Sequence, residues 1–416
     1  MTLSENLSWR GFVNQTTYKD IKALDGEPIG FYLGVDPSAD SMTVGNLAVV
    51  MMVRHFIDAG HKAFLLVGGA TGMIGDPDGK KQERDLLTLE QIDHNKKCIA
   101  AQYKQVLAGK HFELVDNYDW FKHINYLEFL RDIGKHVPMR TMLGRDFVQA
   151  RLNDDGTGIS YAEFSYSLIQ GYDFLYLHKL NGVSLQVCGA DQWGNSITGV
   201  DLIRRITGDE AHVWSAPLVV NKTTGVKFGK SEEGAVWLDE VKTSVYKFYQ
   251  FWLNVDDASV GDYLKIYTLL PKEEIERVMA AFEENRSSRV AQKTLAYEVT
   301  KVVHGEQKAD SVQRVTQVLF GDEKYENLTA KDIAALKHEL PYAECRSGES
   351  LIASLVETGL ASSNGEARRF LDQKAVYVNG KQVEADYSPT SSDTLVDGHV
   401  ILRRGKNANA LLRVIK

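Results

Sequence analysis

Cysteine and proline are scarce in this chain of 416 residues: three cysteines (Cys98, Cys188, Cys345) and eight prolines. The three thiols lie far apart and fit no metal spacing. A sparse, odd count suits a reducing, cytoplasmic compartment. No stretch reaches 18 uninterrupted apolar residues, so no membrane span is expected. The opening "MTLSENLSWRGFVNQTT" is polar and carries acid early, unlike a signal peptide or an Arg-rich transit peptide. Internal repeats and low-complexity tracts are also missing. So is a positive balance: the net charge is −8. Taken whole, that argues weakly against nucleic-acid binding. The charge is uneven, however. Leu351–Lys416 holds nine Lys and Arg against seven Asp and Glu, leaving −10 for the rest.

What is present is ordinary for a soluble globular protein, with 44% hydrophobic and 25% charged residues. The length predicts two or three domains. "IGFYLGVD" reads as a strand ending at Asp36, "PSAD" as a turn, and "VGNLAVVMMVRHFIDAG" as an amphipathic helix. "KAFLLVGGAT" is a short apolar run of the kind buried in a parallel sheet. Two successive βα units predict a doubly wound α/β domain, Rossmann-like, with its site at the strand C-termini. Residues 88–180 read as a mostly helical insertion. Strand patterns return in "NGVSLQVCGA" and "HVWSAPLVV", so this domain is expected to span 1–232. Residues 233–320 read as an all-helical domain and 321–348 as a linker. Residues 349–416 read as a small α+β module.

Five short stretches could carry chemistry. Tyr166, Gln170 and Asp173 in "FSYSLIQGYDF" fall at i, i+4 and i+7, one stripe of a helix. They form either a polar pocket floor or a solvated face. Asp191 in "GADQWGN" follows a strand and could accept from a ribose hydroxyl, or simply close a turn. "LVGGATGMIGDPDGKKQER" combines glycines with Asp76, Lys80, Lys81 and Arg84, a phosphate site or a plain glycine turn. "VKFGKSEEG" sets Lys227 and Lys230 around a glycine, a mobile phosphate clamp or a solvated basic loop. "TVGN" (43–46) stands at a helix mouth, where phosphate often binds, yet Thr43 and Asn46 are neutral. A helix cap is the plainer alternative.

Taken in order, these stretches resemble the bacterial-type tyrosyl-tRNA synthetases, a family of class I aminoacyl-tRNA synthetases. The resemblance runs through "WRGFVNQTT", "GVDPSADS", "GGATGMIGDP", "EFSYSLIQGYDF", "GADQWGNSITG", "KFGKSEEGAVWLD" and "KTLAYEVTKVVHG", and so covers nearly the whole chain. "KFGKS" matches the family's version of the class I "KMSKS" signature. The resemblance implies activation of L-tyrosine by ATP with Mg²⁺, and transfer of the tyrosyl group to tRNA(Tyr). It implies a homodimer. It implies that Tyr32 and Asp173 bind the phenol hydroxyl, while Asp76, Tyr166 and Gln170 hold the ammonium group, with Gln192 nearby. Gly189 and Asp191 are implied at the ribose, with Asp36 and Gln192 nearby. Ser38, Gly45, Asn46 and Ser231 are implied at ATP, and Lys80, Arg84, Lys227 and Lys230 at the transferring phosphates. The carboxy-terminal module resembles a small RNA-binding domain. Thr43, counted with Asn46 among the catalytic residues, departs from the family, whose "HIGH" signature has histidine there; threonine is shorter and uncharged. Leu33 stands where a small polar residue often sits. Two other readings compete: a fold-keeping RNA binder without catalysis, and a different adenylyl transferase. The complete tyrosine pocket argues against the first, and the Tyr32–Asp173 pair against the second.

Overall fold

A computed structural model of the chain describes residues 1–77, 86–152, 158–231, 234–321, 323–384, 386–405 and 408–415. The chain divides into two compact units, 1–243 with 252–295, and 244–251 with 296–416.

The first unit is built on six strands: β1 (Gln15–Thr16), β2 (Gly30–Val35), β3 (Lys62–Val67), β4 (Phe112–Val115), β5 (Val183–Gly189) and β6 (His212–Ala216). Their order is β1-β6-β5-β2-β3-β4. All neighbours are parallel except β1 and β6. Parallel strands are covered on both faces, which is why Ala63–Val67 is buried throughout. From β2 the chain first builds outward to β3 and β4. It then returns to the other side of β2 to lay down β5 and β6. The reversal between β2 and β5 opens a crevice at their C-terminal ends, the usual site in a doubly wound sheet.

Two helices frame that crevice. Val44–Asp58 joins β2 to β3 and buries Leu47, Val50, Met51 and Phe56. Tyr161–Asn181 starts at Ser160, whose hydroxyl accepts from Glu163 N, and ends at Gly182 with φ +68°. It packs closely on the helix Trp193–Ile206. A Cβ on Gly171 would come within 2.9 Å of Thr198, and one on Gly199 within 2.8 Å of Phe174. Neither glycine can be enlarged without separating the helices.

The region 88–180 is not helical throughout. Phe112–Val115 forms the edge strand β4, paired to β3. Four strand residues between helices give too short an alternation to read from sequence.

The helical stretch 233–320 is divided between the units. Its part 252–295 belongs with the first. There the buried Arg10 guanidinium donates to the carbonyls of Lys265, Thr268 and Leu270, closing the end of the helix Val260–Tyr267. Burial lowers the Arg10 pKa to about 10.

The second unit carries a five-stranded sheet of β9 (Tyr342–Arg346), β10 (Val376–Val378), β11 (Lys381–Gln382), β12 (His399–Arg404) and β13 (Ala408–Ile415). (β7, Lys230–Ser231, and β8, Gly234–Ala235, form a two-stranded antiparallel hairpin in the first unit.) The order is β11-β10-β12-β13-β9, with only β13 and β9 parallel. One face covers Leu351, Leu355, Ala367 and Leu371 from two helices. The other presents Ile401 and Leu411 to Val315, Leu319, Ile333 and Leu336. The expected linker 321–348 is therefore corrected. It contains the helix Ala330–Glu339 and strand β9, whose partner lies some seventy residues later in the chain.

Candidate active site

A cavity of about 570 Å³ occupies the crevice at the ends of β2 and β5. Strand alternation sets its floor, with Tyr32 and Gly34 facing one way from β2. Across the cavity the Tyr161–Asn181 helix presents Tyr166, Gln170 and Asp173. The one-stripe reading is the one observed.

Asp173 is 1% exposed and fully engaged: Oδ1 accepts from Trp120 Nε1 at 2.9 Å, and Oδ2 from Asn117 Nδ2 at 3.1 Å. Asn117 also donates to Thr71 Oγ1 at 3.1 Å. Burial raises the Asp173 pKa well above the carboxylate range, although both hydrogen bonds pull it down. Beside it, Tyr32 is 1% exposed and its hydroxyl has no hydrogen-bond partner. Burial, then the Asp173 and Cys188 charges, lifts the Tyr32 phenol well above its ordinary value. Gln170 Oε1 is likewise buried and unpartnered. Tyr166 donates its hydroxyl to Asp36 Oδ2 at 2.7 Å, and Gln192 Nε2 donates to Asp76 Oδ2. Burial, followed by Asp36 and Asp76, raises the Tyr166 phenol in turn.

The glycines after β3 are needed for close packing. A Cβ on Gly68 would collide with Thr71 Oγ1 and come within 2.7 Å of Asp36. Gly69 N donates to Asp116 Oδ1 at 3.0 Å and Ala70 N to Asn117 Oδ1 at 2.7 Å. This turn thus fixes the Asp116–Asn117 corner that holds Asp173.

At the other end, Thr43 caps the helix Val44–Asp58 with extended backbone. Asn46 Oδ1 accepts from both the amide and the hydroxyl of Thr43, each at 2.9 Å. The "KFGKS" loop lies against this mouth. Gly229 has φ +111°, and a Cβ there would sit 3.0 Å from Val44 Cγ2. Val44 N donates to Val236 O at 3.0 Å, and Leu238 N to Met42 O at 2.9 Å. Phe228 anchors the loop by stacking on Tyr263 at 4.2 Å between ring centres. Lys227 Nζ reaches Asp191 Oδ2 at 3.4 Å, an exposed pair worth little to stability.

One cavity therefore gathers Tyr32, Leu33, Asp36, Ser38, Thr43, Gly45, Asn46, Asp76, Tyr166, Gln170, Asp173, Gly189, Asp191, Gln192 and Lys227. Lys80 and Arg84 lie outside the described residues. Lys230 and Ser231 are described only as backbone, in a two-residue strand paired with Gly234–Ala235. Among the described residues no three His, Cys, Asp or Glu side chains converge as a metal site. Sequence reasoning missed Asn117, Trp120 and Cys188. The first two stand just after β4, and "NYDW" following a strand end was the only available signal.

Comparison with known proteins agrees with this geometry. The family described as tRNA synthetases class I (W and Y) matches residues 24–321, and the tyrosine--tRNA ligase SYY-like C-terminal domain matches residues 332–412. The chain belongs to the class I tRNA synthetases. A tyrosine--tRNA ligase of Neisseria meningitidis serogroup A is 44% identical over 99% of both chains, which places this chain in the tyrosine--tRNA ligase family. One from Pediococcus pentosaceus is 43% identical over the full length of both. Among solved structures, a C-terminally truncated mitochondrial tyrosyl-tRNA synthetase of Aspergillus nidulans superposes with a TM-score of 0.68 at 32% identity. It covers 75% of this chain and 92% of its own. The second match begins at residue 332, within the stretch expected to link.

Proposed function

We propose that this chain joins L-tyrosine to tRNA(Tyr) in two steps, through tyrosyl-adenylate, and that the residues gathered in the cavity divide the work as follows. The observation that carries this reading is the buried Tyr32 hydroxyl, which has no partner beside Asp173. A substrate phenol inserted there gives it one. Phenylalanine would leave the Tyr32 hydroxyl unpaired, at a cost in binding. Asp76, Tyr166 and Gln170 take the ammonium group, and the unpartnered Gln170 Oε1 is an acceptor suited to it. Gln192 stands beside them.

ATP lies across the sheet, with its ribose at Gly189, Asp191 and Asp36. Its phosphates lie at Ser38, Gly45, Asn46 and the helix N-terminus, where backbone amides favour anions. Thr43 holds Asn46 in place. Ser231 and the cations Lys80, Arg84, Lys227 and Lys230 complete the phosphate end. Mg²⁺ enters with ATP as part of the substrate. The tyrosine carboxylate oxygen bonds to the α-phosphorus as the bond to pyrophosphate breaks. No protein base is needed; positioning and charge stabilisation supply the acceleration. The tyrosyl group then passes to the terminal ribose of tRNA.

The second unit is the tRNA-holding part. Its basic side chains lie over aromatic rings, Arg403 at 4.2 Å from Tyr377 and Arg404 at 5.2 Å from Phe370. Exposed Tyr126, Leu127, Met139, Leu152 and Tyr161 support a homodimer formed through the helical insertion. No helix among the described residues is long and apolar enough to cross a membrane, and the sparse thiols fit the cytoplasm. The test is tyrosine-dependent exchange of pyrophosphate into ATP, followed by charging of tRNA(Tyr). Purified, folded protein showing no exchange would sink this reading.

A further inference from the structure

Behind Gln192 runs a chain of hydrogen bonds that starts on a guanidinium and ends on the Asp76 carboxylate. Arg145, just before the helix Asp146–Leu152, donates Nη1 to Asn195 Oδ1 at 2.7 Å. Its Nη2 donates to Gly194 O at 2.9 Å and to Thr198 Oγ1 at 2.5 Å. Asn195 is 3% exposed and donates Nδ2 to Gln192 Oε1 at 3.3 Å. Gln192 then donates Nε2 to Asp76 in the cavity wall.

A guanidinium only donates, whereas a primary amide donates from one side and accepts on the other with almost the same shape. Arg145 therefore removes the ambiguity twice. Asn195 must turn its oxygen to Arg145 and its amino group to Gln192. Gln192 must then turn its oxygen to Asn195 and its amino group to the cavity. Without the guanidinium only Asp76 holds this order, and once a substrate ammonium group takes Asp76 both amides can reverse, turning the Gln192 oxygen into the cavity.

We infer that Arg145 and Asn195 are positioning residues that fix Gln192 as a hydrogen-bond donor toward the anionic groups reacting in the cavity. This rests on the reading of the cavity as the tyrosine and ATP site. There the ammonium group takes Asp76, and the Gln192 amino group faces the carboxylate and phosphate that carry negative charge through the first step. A donor stabilises that charge and an oxygen opposes it. Arg145 itself touches neither substrate. It comes from the helical insertion, outside the stretches in which the sequence shows its signatures.

Asn195→Asp tests the polarity itself. A carboxylate only accepts, so it keeps the Arg145 link and forces Gln192 to reverse. The expected result is a folded protein with an unchanged melting temperature. Its single-turnover rate of adenylate formation, at saturating tyrosine and ATP, falls roughly tenfold or more. Arg145→Met should lower the rate similarly, and Arg145→Lys, which still only donates, should restore most of it. If Asn195→Asp does not fold, the Arg145→Met and Arg145→Lys pair decides. In a Gln192→Ala background Asn195→Asp should cost nothing further, because a lost amide has no polarity to set. Wild-type rates in Asn195→Asp, or an Arg145→Met variant impaired only in tRNA charging, would overturn the inference. Wild-type protein lacking tyrosine-dependent exchange would instead overturn the functional reading, and the inference with it.

Discussion

The Thr43 hydroxyl gives its proton to Asn46, at 2.9 Å, rather than holding it ready for a ligand. The same Asn46 oxygen takes the Thr43 amide, so the asparagine side chain is clamped at two points. Thr43→Ala removes one clamp. Stability should fall by about 1 kcal/mol, the net worth of one hydrogen bond. Adenylate formation should slow only a few-fold, and Asn46→Ala should slow it more. Melting temperature and single-turnover rates measured on both variants check this. A larger kinetic loss for Thr43→Ala would mean the hydroxyl itself meets the phosphates.

Tyr32 and Asp173 should set the choice of amino acid. Tyr32→Phe deletes the unpartnered hydroxyl and should cut the preference for tyrosine over phenylalanine by about 1–2 kcal/mol, roughly five- to thirtyfold. Trp120→Phe removes one donor to Asp173 and should reduce the preference less. The ratio of kcat/KM for the two amino acids in pyrophosphate exchange reads the effect. An unchanged ratio in Tyr32→Phe would show that the phenol binds elsewhere.

His55 should make the protein acid-sensitive. Its burial, helped by the Arg10 charge, lowers its pKa to about 3, against about 6.5 in an unfolded chain. The depressed value means the fold holds the neutral ring. The stability it contributes is complete above pH of about 6.5 and is lost as pH falls toward 3. His55→Gln cannot take up that proton and keeps an acceptor for Asn6, whose amide lies 3.3 Å from Nδ1. Its unfolding free energy should fall less steeply than that of wild type between those pH values. Parallel acid limbs in urea titrations would contradict the assignment.

Truncation should separate the two reactions, provided the cut respects the sheet. Every described residue assigned to tyrosine or ATP belongs to the first unit. Removing 330–416 should leave pyrophosphate exchange near the wild-type rate and abolish most tRNA charging. Removing only 349–416 leaves β9 without β13, uncovering Ala343 and Cys345. That shorter deletion should give less soluble protein. Equal soluble yields from the two would count against the pairing seen here.

The periodic parts were legible before the structure. Tyr166, Gln170 and Asp173 share a face because a helix repeats every 3.6 residues, and Tyr32 faces the cavity because a strand repeats every two. Asn117 and Trp120 were not legible. They reach Asp173 from beyond a four-residue strand, and only the assembled sheet brings them there. Strand β9 is not legible in the sequence for a related reason. It is defined by pairing with β13, and no local pattern announces a partner so distant. The close packing of the glycines after β3 is not legible in the sequence because two of their nearest neighbours, Asp36 and Asp116, come from other segments.

The stitching of residues 42–44 to 236–238, with Gly229 pressed on Val44, ties the two ends of the catalytic sequence into one fitted piece. Neither half is then a portable part. A chimera taking its first two hundred residues from a relative with histidine at position 43 would bring in a helix mouth shaped for a different loop. Transplanting only the loop would fail for the mirror-image reason. Exchange of both segments together should be tolerated where exchange of either alone is not. Over evolutionary time, changes at Thr43 and in "KFGKS" should have been inherited as a set.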